Sequence, residues 1–82
     1  MGLKKLAAKV EDYKARLESG KASEIKSSHV ERVLQKLRVK AADLRAEIDA
    51  ARSADKKARL EGKLDIARNH IARAEWLLRE LS

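Results

Sequence analysis

The two histidines, His29 and His70, are the residues of this chain best suited to bind a metal ion. A structural zinc site needs four ligands that are mostly cysteine or histidine, and the chain has no cysteine. Carboxylates would have to complete the set, but Glu31 lies near His29 only along the chain. We therefore expect no metal site and interpret both histidines as structural residues.

No combination of side chains indicates catalysis. A cysteine nucleophile is absent, and no serine and histidine are accompanied by a third group that would orient them. Three acidic residues instead stand four positions before an arginine, the favourable order for an ion pair on a helix: Asp12–Arg16, Asp55–Arg59 and Glu75–Arg79. The thin core of so short a chain also suggests no concave pocket. We expect a protein that is not an enzyme and uses no cofactor or small molecule.

The segment SGKAS, residues 19–23, has a Gly-Lys pair with a serine two positions later, which is similar to the Gly-Lys-Ser/Thr of phosphate-binding loops. That motif also requires an upstream glycine, and the corresponding position holds Ala15. No strand pattern precedes the segment either. The sequence favours a simpler role for Gly20, which is to end a helix.

The segment SEIKSSHVERVLQKL, residues 23–37, places small polar residues before a basic helix, as a helix-turn-helix DNA reader does. The usual tight glycine turn is missing, and a recognition helix that continued to Arg52 would be unusually long. Val30, Leu34 and Leu37 are also needed for an apolar seam. A helix of a bundle explains this segment better than a DNA reader does.

Apolar residues recur at alternating steps of three and four along three segments, which is the spacing of one face of an α-helix. We predict helices over about 2–18, 28–52 and 55–81. The second and third have the seven-residue repeat of a coiled-coil seam. Ser28, with Glu31 three residues later, has the pattern of a capping box at the start of the second helix, although Ser23 is a competing cap.

The repeat of the second helix loses its phase between Ala51 and Leu60. Folding the chain back about Ala54 sets the two apolar seams against each other, with paired positions that add to 108. Helix-start residues stand beside that centre, and either Ser53 or Asp55 could cap the third helix. These observations predict an antiparallel helical hairpin.

A second set of apolar residues lies off the seam near the open end of the hairpin, at Val33, Ile66, Trp76 and Leu77. The shorter first helix can cover this end, whereas residues 44–63 show no second apolar face. The predicted fold is all-α: a coiled-coil-like antiparallel hairpin with a shorter N-terminal helix packed at its open end, forming a three-helix bundle with a charged tip.

Trp76 has two interpretations. It packs against the first helix beside Tyr13 or Leu6, or it is exposed at a partner interface, where tryptophan is a typical hot spot. The candidate protein interface consists of Trp76, Ile66, Leu77 and Val33.

The 82 residues indicate one small domain, and the net charge of +7 is spread along the chain rather than concentrated in a basic arm. No apolar run is long enough for a membrane span, so we expect no membrane partner. The absence of cysteine makes a reducing, cytoplasmic location the default expectation.

These features predict a non-catalytic helical interaction or scaffold module whose partner is another protein or a second copy. The alternative is low-specificity nucleic-acid binding through basic residues at the hairpin tip. The candidate nucleic-acid contacts are Arg45, Arg52, Lys56, Lys57, Arg59 and Lys63. Four acidic residues at the same tip offset much of this charge: Glu47, Asp49, Asp55 and Glu61.

Overall fold

Three α-helices and one short 3₁₀ turn form the fold in a computed structural model that describes residues 2–82. Helix α1 spans Leu3–Glu18, the 3₁₀ turn Ala22–Glu24, helix α2 Ser27–Ala50 and helix α3 Ala54–Leu81. The described residues contain no strand. The three predicted helices are therefore confirmed as an all-α fold.

Gly20 ends α1 as predicted. Its backbone φ of 79° is in the left-handed region, which glycine adopts without a steric penalty. The backbone N–H of Lys21 donates to the carbonyl of Arg16 at 2.8 Å, and that of Gly20 donates to the carbonyl of Leu17 at 3.2 Å. This is the hydrogen-bond pattern of a Schellman motif. Both amides are used by the helix end, so neither is free to bind a phosphate.

The predicted capping box at Ser28 is wrong. Helix α2 begins one residue earlier, its N-cap residue is Lys26, and no side chain caps it. The reason is tertiary: Ile25 is buried in the core, so the chain enters the helix directly after this anchor. Ser28 already has helical backbone geometry, whereas a capping residue needs a non-helical one.

The turn between α2 and α3 is closed by Ser53. Its Oγ accepts a hydrogen bond from the backbone N–H of Lys56 at 3.2 Å, and its carbonyl accepts one from Lys57. Asp55, the other candidate cap, lies inside the first turn of α3. A negative charge there still favours the positive end of the helix dipole.

Helices α2 and α3 pack along their predicted seams. Towards the turn, five side chains are buried between the two helices: Ala41, Leu44, Leu60, Leu64 and Ala67. At the open end α1 packs on both helices and adds its own apolar face. The buried cluster there consists of Leu6, Val10, Ile25, Val30, Val33, Leu34, Leu37, Ala74 and Leu77. The antiparallel hairpin and the three-helix bundle are both confirmed.

Helix α1 is too short to cover the whole hairpin. The molecule measures 47 × 19 × 19 Å, whereas the 16 residues of α1 span about 24 Å. Leu3, the first residue of α1, contacts both core clusters and thus marks the level along the hairpin at which α1 begins. Beyond it, a two-helix tip, residues 45–63, projects from the bundle.

Candidate functional site

Two of the four candidate interface residues lie in the core. Val33 and Leu77 are 3% and 0% exposed, because α1 covers them. Trp76 is partly buried and packs against the same cluster. Ile66 is 48% exposed. Of these four residues, only Ile66 and the exposed part of Trp76 offer apolar surface to a partner.

Val39 is a second exposed apolar residue, which the sequence interpretation missed. It is 52% exposed on α2 and lies beside Gln35, Lys36 and Asp43. It stands outside both apolar sets of α2, so periodicity alone assigns it no role. Val39 and Ile66 are similarly exposed but lie in different surroundings, which makes them a matched pair for substitution.

The six candidate nucleic-acid contacts are all exposed, and two of them lie in different depressions. Arg45 lies in a shallow depression between α2 and α3 that we call the mixed-charge flank. Its charged residues are two arginines and three acids, a net charge of −1: Arg45, Arg68, Asp49, Glu61 and Asp65. Lys63 lies elsewhere, in a groove beside the start of α1. Arg45 and Lys63 therefore belong to different surfaces of the hairpin.

That groove has a volume of about 710 Å³ and is the larger of the two depressions. We call it the lysine groove. Its apolar lining comes from all three helices: Leu3, Ala7, Leu44, Leu60 and Ile66. Its charged residues are Lys4, Lys5, Lys40, Lys63 and Glu47, with Gly2 at the end. Four lysines and one glutamate give it a net charge of +3.

The groove exists because α1 begins there. Leu44 and Leu60 are seam residues, and the hairpin buries them between α2 and α3. Ile66 lies beside the seam, at a level where α1 has just begun and covers it only in part. The lysines can lay their aliphatic chains over such apolar surface and keep their ammonium groups in water.

The lysines of the groove form no ion pair with another described residue. Among the described residues the ion pairs between helices lie at the open end, where Arg73 contacts Glu11 and Arg38 Nη2 lies 3.1 Å from Glu75 Oε2. No lysine in residues 2–82 takes part in an ion pair. The positive charges of the groove are therefore available to an anionic partner.

His70 lies where α3 meets α1. Its Nδ1 is buried, makes no hydrogen bond, and is 3.9 Å from Glu11 Oε1. His29 is exposed in the first turn of α2. Across residues 2–82, no three histidine, aspartate or glutamate side chains are grouped so that they could hold a metal ion. His70 of α3 thus lies at the contact with Glu11 of α1.

None of the helices in the described part of the chain is both long enough and apolar enough to cross a bilayer. Comparison with protein-family models, with curated proteins and with solved structures returns no match.

Proposed function

We propose that this protein is a non-catalytic helical interaction module that binds another protein through the lysine groove. The observation that carries the proposal is the half-exposed Ile66 in a concave surface at the point where α1 begins. Among the described residues, helices of 24 and 28 residues are joined by a third of only 16, and this difference leaves a place for a further helix. Docking a helix in an apolar groove is a common mode of protein recognition.

A different protein is a better candidate partner than a second copy. The chain carries a net charge of +7, and the groove itself carries +3. Two such grooves placed face to face would repel each other, since like charges at an interface lower its stability. Self-association remains the second form of this proposal and is tested below by measuring molecular mass.

Nucleic-acid binding through the tip receives less support. Of the six tip residues, Arg45 lies among carboxylates on the mixed-charge flank and Lys63 lies in the lysine groove. A protein that binds a phosphate backbone neutralises several phosphates with lysine and arginine side chains, and these two residues lie in separate depressions of the hairpin. We also propose a cytoplasmic location, which the cysteine-free composition supports.

The proposal is tested by affinity capture from a lysate of the native source with three immobilised proteins: wild type, Ile66→Glu and Val39→Glu. A partner of the groove should be retained by wild type and by Val39→Glu but lost with Ile66→Glu, because only Ile66 lines the groove. Circular dichroism should show equal helicity for all three. Light scattering of the free proteins identifies any self-association that depends on Ile66.

Retention of the same proteins by Ile66→Glu would contradict the assignment of the groove. The interaction function itself would be refuted by a wild-type chain that captures no protein and has the mass of a monomer.

A further inference from the structure

We propose that the occupant of the lysine groove is an acidic amphipathic helix of a partner protein. This inference rests on the proposed function, and it specifies the chemistry of the partner. It follows from three properties of the groove: its charge, its apolar lining and its position in line with α1.

The first property is the charge. Four lysines and one glutamate line the groove, and the lysines form no ion pair among the described residues. The first turn of α1, which borders the groove, contains no acidic residue. The mixed-charge flank of the same hairpin has a net charge of −1, so the two sides differ in sign. An acidic partner is therefore steered to the groove and away from the opposite flank.

The second property is the apolar lining. Five apolar side chains contribute to the groove, and Ile66 among them is 48% exposed. Small anions such as inorganic phosphate gain nothing from such a lining. A helix with leucine-like residues at positions i, i+3 or i+4, and i+7 would place one apolar face on the lining. Its flanking glutamates would then meet the lysines.

The third property is the position. The notch between α2 and α3 that α1 occupies continues past Leu3 towards the turn at Ser53. From Leu44 to the end of α2 at Ala50 the helix rises by six residues, or roughly 9 Å, which is a little less than two helical turns. A docked helix would thus extend the three-helix packing towards the tip. An extended peptide would leave its backbone groups unpaired, because this all-α fold offers no sheet edge among the described residues.

The test is a titration of ¹⁵N-labelled protein, followed by NMR, with a designed helical peptide of about 18 residues. The peptide carries leucine on one face and glutamate on the flanks, and a control peptide has lysine in place of glutamate. We expect the acidic peptide to shift the amide signals of groove residues such as Ala7, Lys40 and Ile66. Amides of the mixed-charge flank should remain unchanged, and the basic peptide should cause no shifts.

Two protein variants and one control sharpen the test. The double variant Lys40→Glu/Lys63→Glu and the variant Ile66→Ser should each weaken binding of the acidic peptide about tenfold or more. Val39→Ser should bind as wild type does, because Val39 lies outside the groove. Unchanged far-ultraviolet circular dichroism of each variant shows that the fold is retained.

Several outcomes would overturn the inference. They are equal binding of the acidic and basic peptides, shifts confined to the mixed-charge flank, and an acidic peptide that causes no shifts. Phosphatidylglycerol vesicles or duplex DNA could also shift the amide signals of the groove. If either did so at a lower concentration than the acidic peptide, the groove would be assigned to a membrane or to nucleic acid instead.

The inference and the proposed function fail in different ways. Capture of a protein that depends on Ile66, without any shift from the acidic peptide, would refute the acidic helix and leave the interaction module standing. Groove shifts from the acidic peptide, with no captured protein and a monomeric mass, would support the ligand class and refute the proposed function.

Discussion

At the scale of single residues, Leu77 and Ile66 show that similar side chains on one helix have different roles. Both lie off the coiled-coil seam of α3, and both were candidates for a protein interface. Leu77 is fully buried beneath α1, whereas Ile66 stands where α1 has just begun and is half exposed. Leu77 therefore contributes to folding, and Ile66 is available for binding.

Substitution of these two residues by alanine separates the roles. Leu77→Ala should lower the free energy of unfolding by about 2–5 kcal/mol, because it leaves a cavity in the open-end cluster. Ile66→Ala should lower it by about 1 kcal/mol or less, since little packing is lost and alanine favours the helix. Urea denaturation measures both. Equal losses for the two variants would show that Ile66 is also part of the core.

At the scale of the helices, the boundaries depend on local hydrogen bonds at some ends and on tertiary contacts at others. Gly20 ends α1, and Ser53 begins α3. Both helix ends are held by hydrogen bonds between residues that are close together in the sequence. The start of α2 has no such side-chain cap, and the burial of Ile25 determines the entry of the chain instead. Ser28 and Ser53, which both stand where the sequence pattern predicts a helix cap, thus differ in their contribution to stability.

The pair Ser53→Ala and Ser28→Ala tests this difference. Ser53→Ala removes the cap of α3 and should cost about 1 kcal/mol of unfolding free energy. Ser28→Ala should have almost no effect, because Ser28 has helical geometry and caps nothing in the described structure. Thermal or chemical unfolding of the two variants gives the comparison. A larger loss for Ser28→Ala would mean that α2 is capped by a side chain after all.

At the scale of the whole molecule, stability should decline from the open end to the tip. The open end has three helices and fully buried residues such as Leu37 and Leu77. The tip has two helices, and the buried leucines in it and at its base, Leu60 and Leu64, retain 8% and 6% exposure. Two helices bury less apolar surface per residue than three, so they open at a lower free energy.

Native-state hydrogen exchange tests this gradient. We expect the backbone amides around Leu37 and Leu77 to be protected to near the global free energy of unfolding, and those around Leu60 and Leu64 to exchange faster. An acidic helical peptide bound in the lysine groove should slow exchange at Leu60, because it adds a third helix beside α2 and α3 at the level of the tip. Uniform protection along α3 would indicate that the tip is as stable as the bundle.

The number of helices, their approximate ends and the hairpin can all be predicted from the amino-acid sequence. These features depend on residues that are close together in the sequence, so they can be recognised without a structure. They are the apolar periodicity of the seams, the glycine after α1 and the serine before α3. The assignment of Ser53 over Asp55 needed the structure, because both types of side chain can cap a helix.

The composition of the surface grooves depends on how the three helices pack. Ile66 and Lys63 were assigned to two different candidate surfaces, and the fold brings them into one groove with Lys4, Lys5 and Lys40. Periodicity indicates which face of a helix is apolar, but it does not determine the flank or the height at which a neighbouring helix docks. The level at which α1 begins depends on packing across all three helices, and that level buries Leu77 and leaves Ile66 exposed.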